Sequence, residues 1–274
     1  MPQETVVKTG FRKFDRLTGG IGSSDLICLL SWPSQGKTAL ALGIAANVSL
    51  ARKRKPRPVL LFSLKLPREQ VALRLLSARL QVPLRELRNG FLPRNRWTDI
   101  TEATDAISEA PFYINNDSKG NLERICLVSR QLASELQSKG ERLGLIAIDH
   151  WRFIGGKKGG LPSPLESAAR LKGLARELHA PILLTAQVDR RPQEKLDDDS
   201  RPRLEDKIEG PGALSAEELA RVADLLAFVH CGRESWRGGN GDAGAAEIIL
   251  AKNARGRTGT VPLRFIREIA WFKN

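Results

Sequence analysis

Continuous apolar runs recur along the chain, and stretches with helical periodicity separate most of them. The apolar runs cover residues 25–32, 58–64, 111–115, 143–149, 181–188, 225–230, 246–252 and 261–266. The early runs do not alternate with polar residues, which is typical of strands that are buried on both faces of a parallel sheet. The helical stretches cover residues 38–52, 67–80, 98–108, 120–139 and 164–179. This alternation predicts an α/β domain with a mostly parallel central sheet and helices on both faces.

The last apolar runs follow short, glycine-rich connections instead of helices. "GGNGDAG" precedes the run at 246–252, and "NARGRTG" separates that run from the one at 261–266. Such short connections predict β-hairpins that join the edge of the sheet. Two polar stretches, 155–164 and 189–215, are rich in glycine, proline or charged residues. Their length inside a compact domain predicts functional or disordered loops.

Composition narrows the class of protein. The chain has 274 residues, with 44 Lys and Arg against 31 Asp and Glu, a formal net charge of +13. This excess favours a polyanionic partner such as nucleic acid, although solubility alone is an alternative. No apolar run reaches the length of a membrane span, and the N-terminus lacks a secretion-signal pattern, so we expect a cytoplasmic protein without a membrane partner.

Three scattered cysteines, Cys28, Cys126 and Cys231, lie in apolar segments and are predicted to pack in the core.

The segment "LICLLSWPSQGKTALALGIA" joins a predicted buried strand to a predicted helix. A strand, a loop ending in Gly-Lys-Thr and a helix form the context of a P-loop, whose backbone amides surround nucleotide phosphates. Lys37 would reach the β- and γ-phosphates, and Thr38 would hold Mg²⁺. Ser31 stands where the first glycine of the usual pattern belongs. The predicted phosphate-binding residues are Ser31, Pro33, Ser34, Gln35, Gly36, Lys37, Thr38 and Ala39.

Two further polar residues end predicted strands. Asp149 ends "LGLIAID", which fits a Walker B acid that binds Mg²⁺ through water, whereas a helix N-cap is the ordinary alternative. Gln187 ends "PILLTAQ", where its amide either senses the γ-phosphate or is an ordinary strand-end amide. The residues alone leave both roles of Gln187 open.

Several motifs, in order, resemble the C-terminal ATPase domain of DnaB-type replicative helicases. They are "TGFRKFDRLTGGI", "PSQGKTALALGIA", "LFSLKLPREQVALRLL", "LIAID", "LKGLARELHAPILLTAQVDR", "AEIILAKNARGRTGTVPLRF" and "WFKN". The resemblance implies one RecA-like domain over residues 1–274, ATP and Mg²⁺ as cofactors, and a ring that is usually hexameric. It implies 5′-to-3′ movement on single-stranded DNA, which would contact the loops at 155–164 and 189–215. Gln187 would be the sensor amide, and Lys252 would contact a neighbour's γ-phosphate.

The chain departs from that family at two catalytic positions. Lys65 stands where the family has the glutamate that polarises the attacking water, and Glu69 lies one helical turn further on. Ala254 occupies the arginine-finger position, while Arg255 follows it and would need a different turn to take that role. Losing a general base typically lowers a rate by about 10²–10⁴. Whether this chain hydrolyses ATP is therefore open.

Two more departures concern assembly. Ile208 stands where the family has an arginine, in a segment with about six extra residues relative to the family pattern. The family's N-terminal helical domain and most of its linker helix are not in this sequence.

The motifs and these departures leave three hypotheses for the function. They are a divergent DNA helicase, a hydrolysis-impaired ATP-binding relative that assembles with, loads or regulates a helicase, and a small-molecule kinase. The hairpin motif argues against the kinase.

Overall fold

The structure, a computed structural model, describes most of the chain. The described ranges are residues 6–51, 54–90, 94–117, 121–151, 163–189, 201–209, 214–232 and 244–274. Much of the two polar stretches predicted as DNA-facing loops, including 155–162 and 190–200, lies outside them. Within the described ranges, no helix has the length and apolar character needed to cross a membrane.

The observed elements follow the predicted pattern closely. The helices are α1 (Arg12–Thr18), α2 (Lys37–Ser49), α3 (Arg68–Leu80), α4 (Leu84–Asn89), α5 (Trp97–Ser108), α6 (Leu122–Ser138), α7 (Pro164–Leu178) and α8 (Ala216–Val222). The strands are β1 (Val6–Val7), β2 (Ile21–Gly22), β3 (Leu26–Ser31), β4 (Val59–Ser63), β5 (Phe112–Asn115), β6 (Leu145–Asp149), β7 (Ile182–Gln187), β8 (Leu225–Cys231), β9 (Gly244–Asn253), β10 (Gly259–Ile266) and β11 (Trp271–Lys273). The predicted helices correspond to α2, α3, α5, α6 and α7, and the predicted strands to β3 through β10. The short elements α1, α4, α8, β1, β2 and β11 were not predicted.

The central sheet is mostly parallel. In the described part of the chain its order is β11-β10-β9-β8-β3-β7-β6-β4-β5. The strands from β8 to β5 in that order run parallel, whereas β9, β10 and β11 are antiparallel additions at one edge. The fold class predicted from the apolar runs, including the C-terminal hairpin, is confirmed.

Burial on both faces explains why the parallel strands are apolar without alternation. On β3, Leu26, Cys28 and Leu30 pack in a core with side chains of α6, α7 and α8. Ile27 and Leu29 point to the opposite face, where they pack with side chains of α1, α2 and α3. Each face therefore needs its own set of apolar residues from the same strand.

The three cysteines are buried free thiols, as their apolar context predicted. Burial raises the pKa of Cys231 to about 12, because the interior disfavours a charged thiolate. Burial also raises the pKa of Cys28 and of Cys126. All three side chains therefore pack as small, neutral groups.

Leu184 on β7 offers a test of this core, because its side chain is fully buried in the middle of the sheet. Leu184→Ala is expected to lower the free energy of unfolding by about 2–5 kcal/mol, through lost burial and the cavity left behind. Urea unfolding followed by circular dichroism would measure the change. Leu127→Ala, at a position 46% exposed on α6, is the matched control and should shift stability by less than about 0.5 kcal/mol. Equal losses in both variants would contradict the described packing.

Candidate functional site

The turn between β3 and α2 has the backbone of a phosphate-binding loop. Gly36 precedes α2 with φ of 84°, a left-handed conformation that favours glycine. A Cβ at this position would also lie 2.8 Å from the ring of Phe272, so a larger residue does not fit. The first turn of α2 contains no acidic residue. Its free backbone amides and the helix dipole therefore favour an anion in front of the helix.

Ser31 and Gln35 support this loop from behind rather than lining its cavity. The Ser31 carbonyl accepts a hydrogen bond of 3.0 Å from the backbone of Val188. The Gln35 side-chain oxygen accepts a bond from the backbone N–H of Cys231, and the Cys231 thiol donates to the Gln35 carbonyl at 3.4 Å. These bonds fix the loop to β7 and β8. Pro33 is exposed and does not line the cavity.

Thr38 and Asp149 meet at the start of α2. The Thr38 hydroxyl lies 3.1 and 3.0 Å from the two Asp149 carboxylate oxygens, and the Thr185 hydroxyl donates to Asp149 Oδ1 at 2.5 Å. Asp149 is only 3% exposed. A hydroxyl and a carboxylate held together at the phosphate loop are the oxygen ligands that Mg²⁺ prefers. Sequence reasoning missed Thr185, although its place two residues before Gln187 on the same strand face was a usable signal.

Lys37 and Gln187 are in direct contact. Lys37 Nζ donates to Gln187 Oε1 at 3.3 Å, and Gln187 Nε2 donates to the carboxylate of Glu209. The Glu209 backbone N–H is also bonded to the Gln187 carbonyl at 2.7 Å. Gln187 therefore links the P-loop lysine to the segment 201–209. Sequence reasoning missed Glu209, which lies within one of the polar stretches.

A cavity of about 280 Å³ opens in front of this loop. Its lining residues are Ser34, Gly36, Lys37, Thr38, Ala39, Lys65, Arg74, Phe265, Arg267 and Ala270. Lys65, which follows β4, thus lines the cavity. Glu69 is not among the lining residues; its side chain is 73% exposed and lies 3.7 Å from Arg68. Arg74 on α3 and the β10–β11 connection were not anticipated as parts of the site.

The cavity is strongly cationic. The pKa of Lys37 is lowered to about 8, mainly by burial and next by the nearby charge of Lys65, although the charges of Asp149 and Glu209 act in the opposite direction. Burial also lowers the pKa of Arg74, and the Asp149 charge partly offsets that effect. Burial and mutual repulsion disfavour these charges. An anion between them would relieve the repulsion.

The lowered pKa of Lys37 predicts a pH dependence of nucleotide binding. Above pH 8 a growing fraction of Lys37 is neutral, while a bound phosphate favours the protonated form. Affinity for ATP should therefore fall as pH rises, by up to about tenfold per unit between the free and the bound pKa. Isothermal titration calorimetry at pH 7, 8 and 9 would measure this. Lys65→Gln should move the decline to higher pH, because a repelling charge is removed, and a flat profile would contradict the assignment.

Lys252 and Arg255 lie away from this cavity and contact their own chain. Lys252 on β9 lies opposite Leu226 of β8 in the sheet. Its ammonium donates a hydrogen bond to the carbonyl of Ala220. The Arg255 guanidinium is ion-paired with Asp25, next to the start of β3. The phosphate loop follows the opposite end of β3. The structure therefore brings Lys37, Thr38, Asp149, Gln187 and Lys65 together, but neither Lys252 nor Arg255.

A phosphate loop after a central parallel strand, with an acid and an amide at the ends of the next two strands, defines a P-loop nucleotide-binding domain of the RecA-like type. Within that class, the chain belongs to the family described as the DnaB-like helicase C terminal domain, whose model matches residues 6–274. Membership in this family implies the use of a nucleotide and Mg²⁺ in general.

Individual relatives agree with this assignment. The chain is 34% identical over 275 residues to the replicative DNA helicase DnaB of Geobacillus stearothermophilus, and 32% identical over 275 residues to the replicative DNA helicase DnaC of Bacillus subtilis. Each alignment covers 98% of this chain and 57% of the relative. The chain thus spans little more than half the length of these relatives.

Solved structures show the same fold. One solved ATPase domain superimposes with a TM-score of 0.80 at 26% identity, covering 98% of this chain and 91% of that one. A DnaB-like replicative helicase, solved to show its interactions with primase, gives a TM-score of 0.83 at 26% identity, covering 100% of this chain and 64% of that one. The RecA-like fold implied by the sequence motifs is confirmed.

Proposed function

We propose that this chain is an ATP- and Mg²⁺-binding motor domain of a DnaB-like DNA helicase that acts on single-stranded DNA. The observation that carries the proposal is the contact of Thr38 with Asp149 beside Lys37, at the N-terminus of α2. This arrangement places a phosphate-binding loop next to a pair of oxygen ligands for Mg²⁺. The matching family and its replicative helicase relatives support the choice among P-loop functions.

Each residue then has a distinct role. Lys37 and the amides of α2 bind the β- and γ-phosphates, while Thr38 and Asp149 hold Mg²⁺, partly through water. When bound, Mg²⁺ neutralises charge that develops on the phosphate oxygens. Gln187 contacts Lys37 and, through Glu209, connects the nucleotide site to the 201–209 segment.

Single-stranded DNA and a ring of subunits complete the proposal. The net charge of +13 favours a polyanion. The stretches 155–164 and 189–215 are the proposed DNA contacts. In a hexameric ring, Lys252 and Arg255 would contact the neighbour's nucleotide after release from the Ala220 carbonyl and from Asp25. A mixed assembly with another helicase subunit is the alternative arrangement.

Phosphate release measured with and without single-stranded DNA tests this function. The sample's oligomeric state should be determined in parallel by light scattering. We expect DNA to stimulate release, and more strongly in samples that form rings. A protein that assembles and binds DNA, but shows no stimulation at any DNA concentration, would not be a DNA motor.

A second candidate function rests on one specific observation. Lys65 lines the phosphate cavity where the family has a glutamate, and Glu69 is not among the residues that line it. A lysine ammonium donates hydrogen bonds but has no lone pair to accept a proton from water. A hydrolysis-impaired subunit that binds ATP while it assembles with, loads or regulates an active helicase fits this observation. Tight ATP binding without phosphate release, even in the presence of DNA, is its expected signature.

A further inference from the structure

Arg74 has no role in the function proposed above, yet it lies in the phosphate cavity. It projects from α3 to line the same cavity as Lys37 and Thr38. Its Nε atom is buried and has no hydrogen-bond partner among the described residues. A guanidinium nitrogen that is buried without a partner is costly, because its lost hydration is not replaced. Such a group is suited to an anionic ligand.

The carboxylate whose charge acts on Arg74 is already engaged. Asp149 accepts hydrogen bonds from Thr38 and Thr185. Arg74 therefore lies near this negative charge, but no ion pair joins the two within the described part of the chain. A phosphate group would supply the missing partner.

Lys65 adds another cation from a different element. It reaches the cavity from the end of β4, whereas Arg74 comes from α3 and Lys37 from α2. With Arg267 from the connection between β10 and β11, four positive side chains thus line one cavity of about 280 Å³. That is more positive charge than the P-loop lysine alone provides.

The side chains that the sequence assigned to a neighbour's nucleotide are bound within their own subunit. Lys252 donates to the Ala220 carbonyl, and Arg255 pairs with Asp25. The Asp25 carboxylate is itself held by the backbone N–H of Gly22 at 2.8 Å. Lys65 and Arg74, in contrast, line the phosphate cavity of their own subunit.

We propose that Lys65 and Arg74 form a clamp for the terminal phosphate within one subunit, so that a lone subunit prefers a nucleoside triphosphate over a diphosphate. This inference rests on the proposed nucleotide-binding function and adds the selectivity of that site. A diphosphate lacks the phosphate group that both cations would contact. Charge-assisted hydrogen bonds of this kind give each contact a measurable share of the affinity.

The test compares Lys65→Gln and Arg74→Gln, with Arg79→Gln on the same helix as the matched control. Calorimetry with Mg²⁺ would measure binding of a non-hydrolysable ATP analogue and of ADP, at concentrations where sedimentation shows monomers. The unaltered protein should prefer the analogue by at least about tenfold. Each clamp substitution should lower that ratio about tenfold while ADP affinity changes less than about twofold. Arg79→Gln, outside the cavity, should keep the ratio.

Several results would overturn the clamp. They are an unchanged ratio in both variants, equal losses for both nucleotides, an equal effect of Arg79→Gln, and a preference that exists only after assembly. Binding of neither nucleotide to the unaltered protein would overturn the proposed function and the clamp together. Thermal unfolding would check that each variant folds. If Arg74→Gln does not fold, Arg74→Lys keeps the charge without the guanidinium and should retain part of the preference.

Discussion

Replacing Lys65 with glutamate is expected to raise the rate of phosphate release by about 10²- to 10⁴-fold, which is the usual range for a positioned general base. Lys65 lines the cavity together with Gly36, Lys37 and Thr38. A glutamate there would offer a carboxylate oxygen to the attacking water, which a lysine ammonium cannot do. A coupled phosphate assay with saturating ATP and Mg²⁺ would measure the change.

Two control variants distinguish the effect of a new general base at position 65 from the effect of removing its positive charge. Lys65→Gln removes the positive charge without adding a carboxylate, so it should raise the rate far less than Lys65→Glu. Glu69→Gln tests the nearest carboxylate along α3 and should leave the rate unchanged, because Glu69 is exposed outside the cavity. If Lys65→Glu leaves phosphate release as it was, Lys65 is not what limits hydrolysis, and the hydrolysis-impaired function loses its main support.

The fold could be predicted because its core strands carry an unambiguous pattern. β3, β4, β6 and β7 are apolar on both faces, and only a sheet covered by helices on both sides buries such strands. The short elements were missed for a physical reason. α4 has six residues and β11 has three, too few for a periodicity to stand out from chance.

The site was predictable where its residues are adjacent in sequence. Gly36, Lys37 and Thr38 form a linear motif, and Asp149 and Gln187 each end an apolar run. Arg74 and Glu209 reach the site only through packing of α3 and of the 201–209 segment, which no local pattern records.

Side-chain direction was a further limit of sequence reasoning. Arg255 follows Ala254 in a turn, and its spacing does not say whether it points to a neighbour or to its own chain. In the structure it pairs with Asp25, a residue 230 positions away in sequence. Lys252 likewise contacts the carbonyl of Ala220. Both contacts would have to open before either side chain could reach a neighbouring subunit.

Lys37→Ala is expected to weaken ATP binding by about 10- to 150-fold, which corresponds to the loss of a charge-assisted hydrogen bond. Lys37 is 4% exposed and starts α2, so its ammonium is held at the phosphate cavity. The variant should fold normally, because the substitution removes a buried charge whose pKa is already lowered by burial and by Lys65.

Calorimetry with ATP and Mg²⁺ would measure the loss, and thermal unfolding would confirm that the fold is intact. Lys139→Ala, at the exposed end of α6, removes one positive charge far from the loop and is the matched control. Because the net charge changes equally in both variants, a loss confined to Lys37→Ala would be due to position rather than to charge. A folded Lys37→Ala protein with unchanged affinity would mean that ATP binds elsewhere than in front of α2.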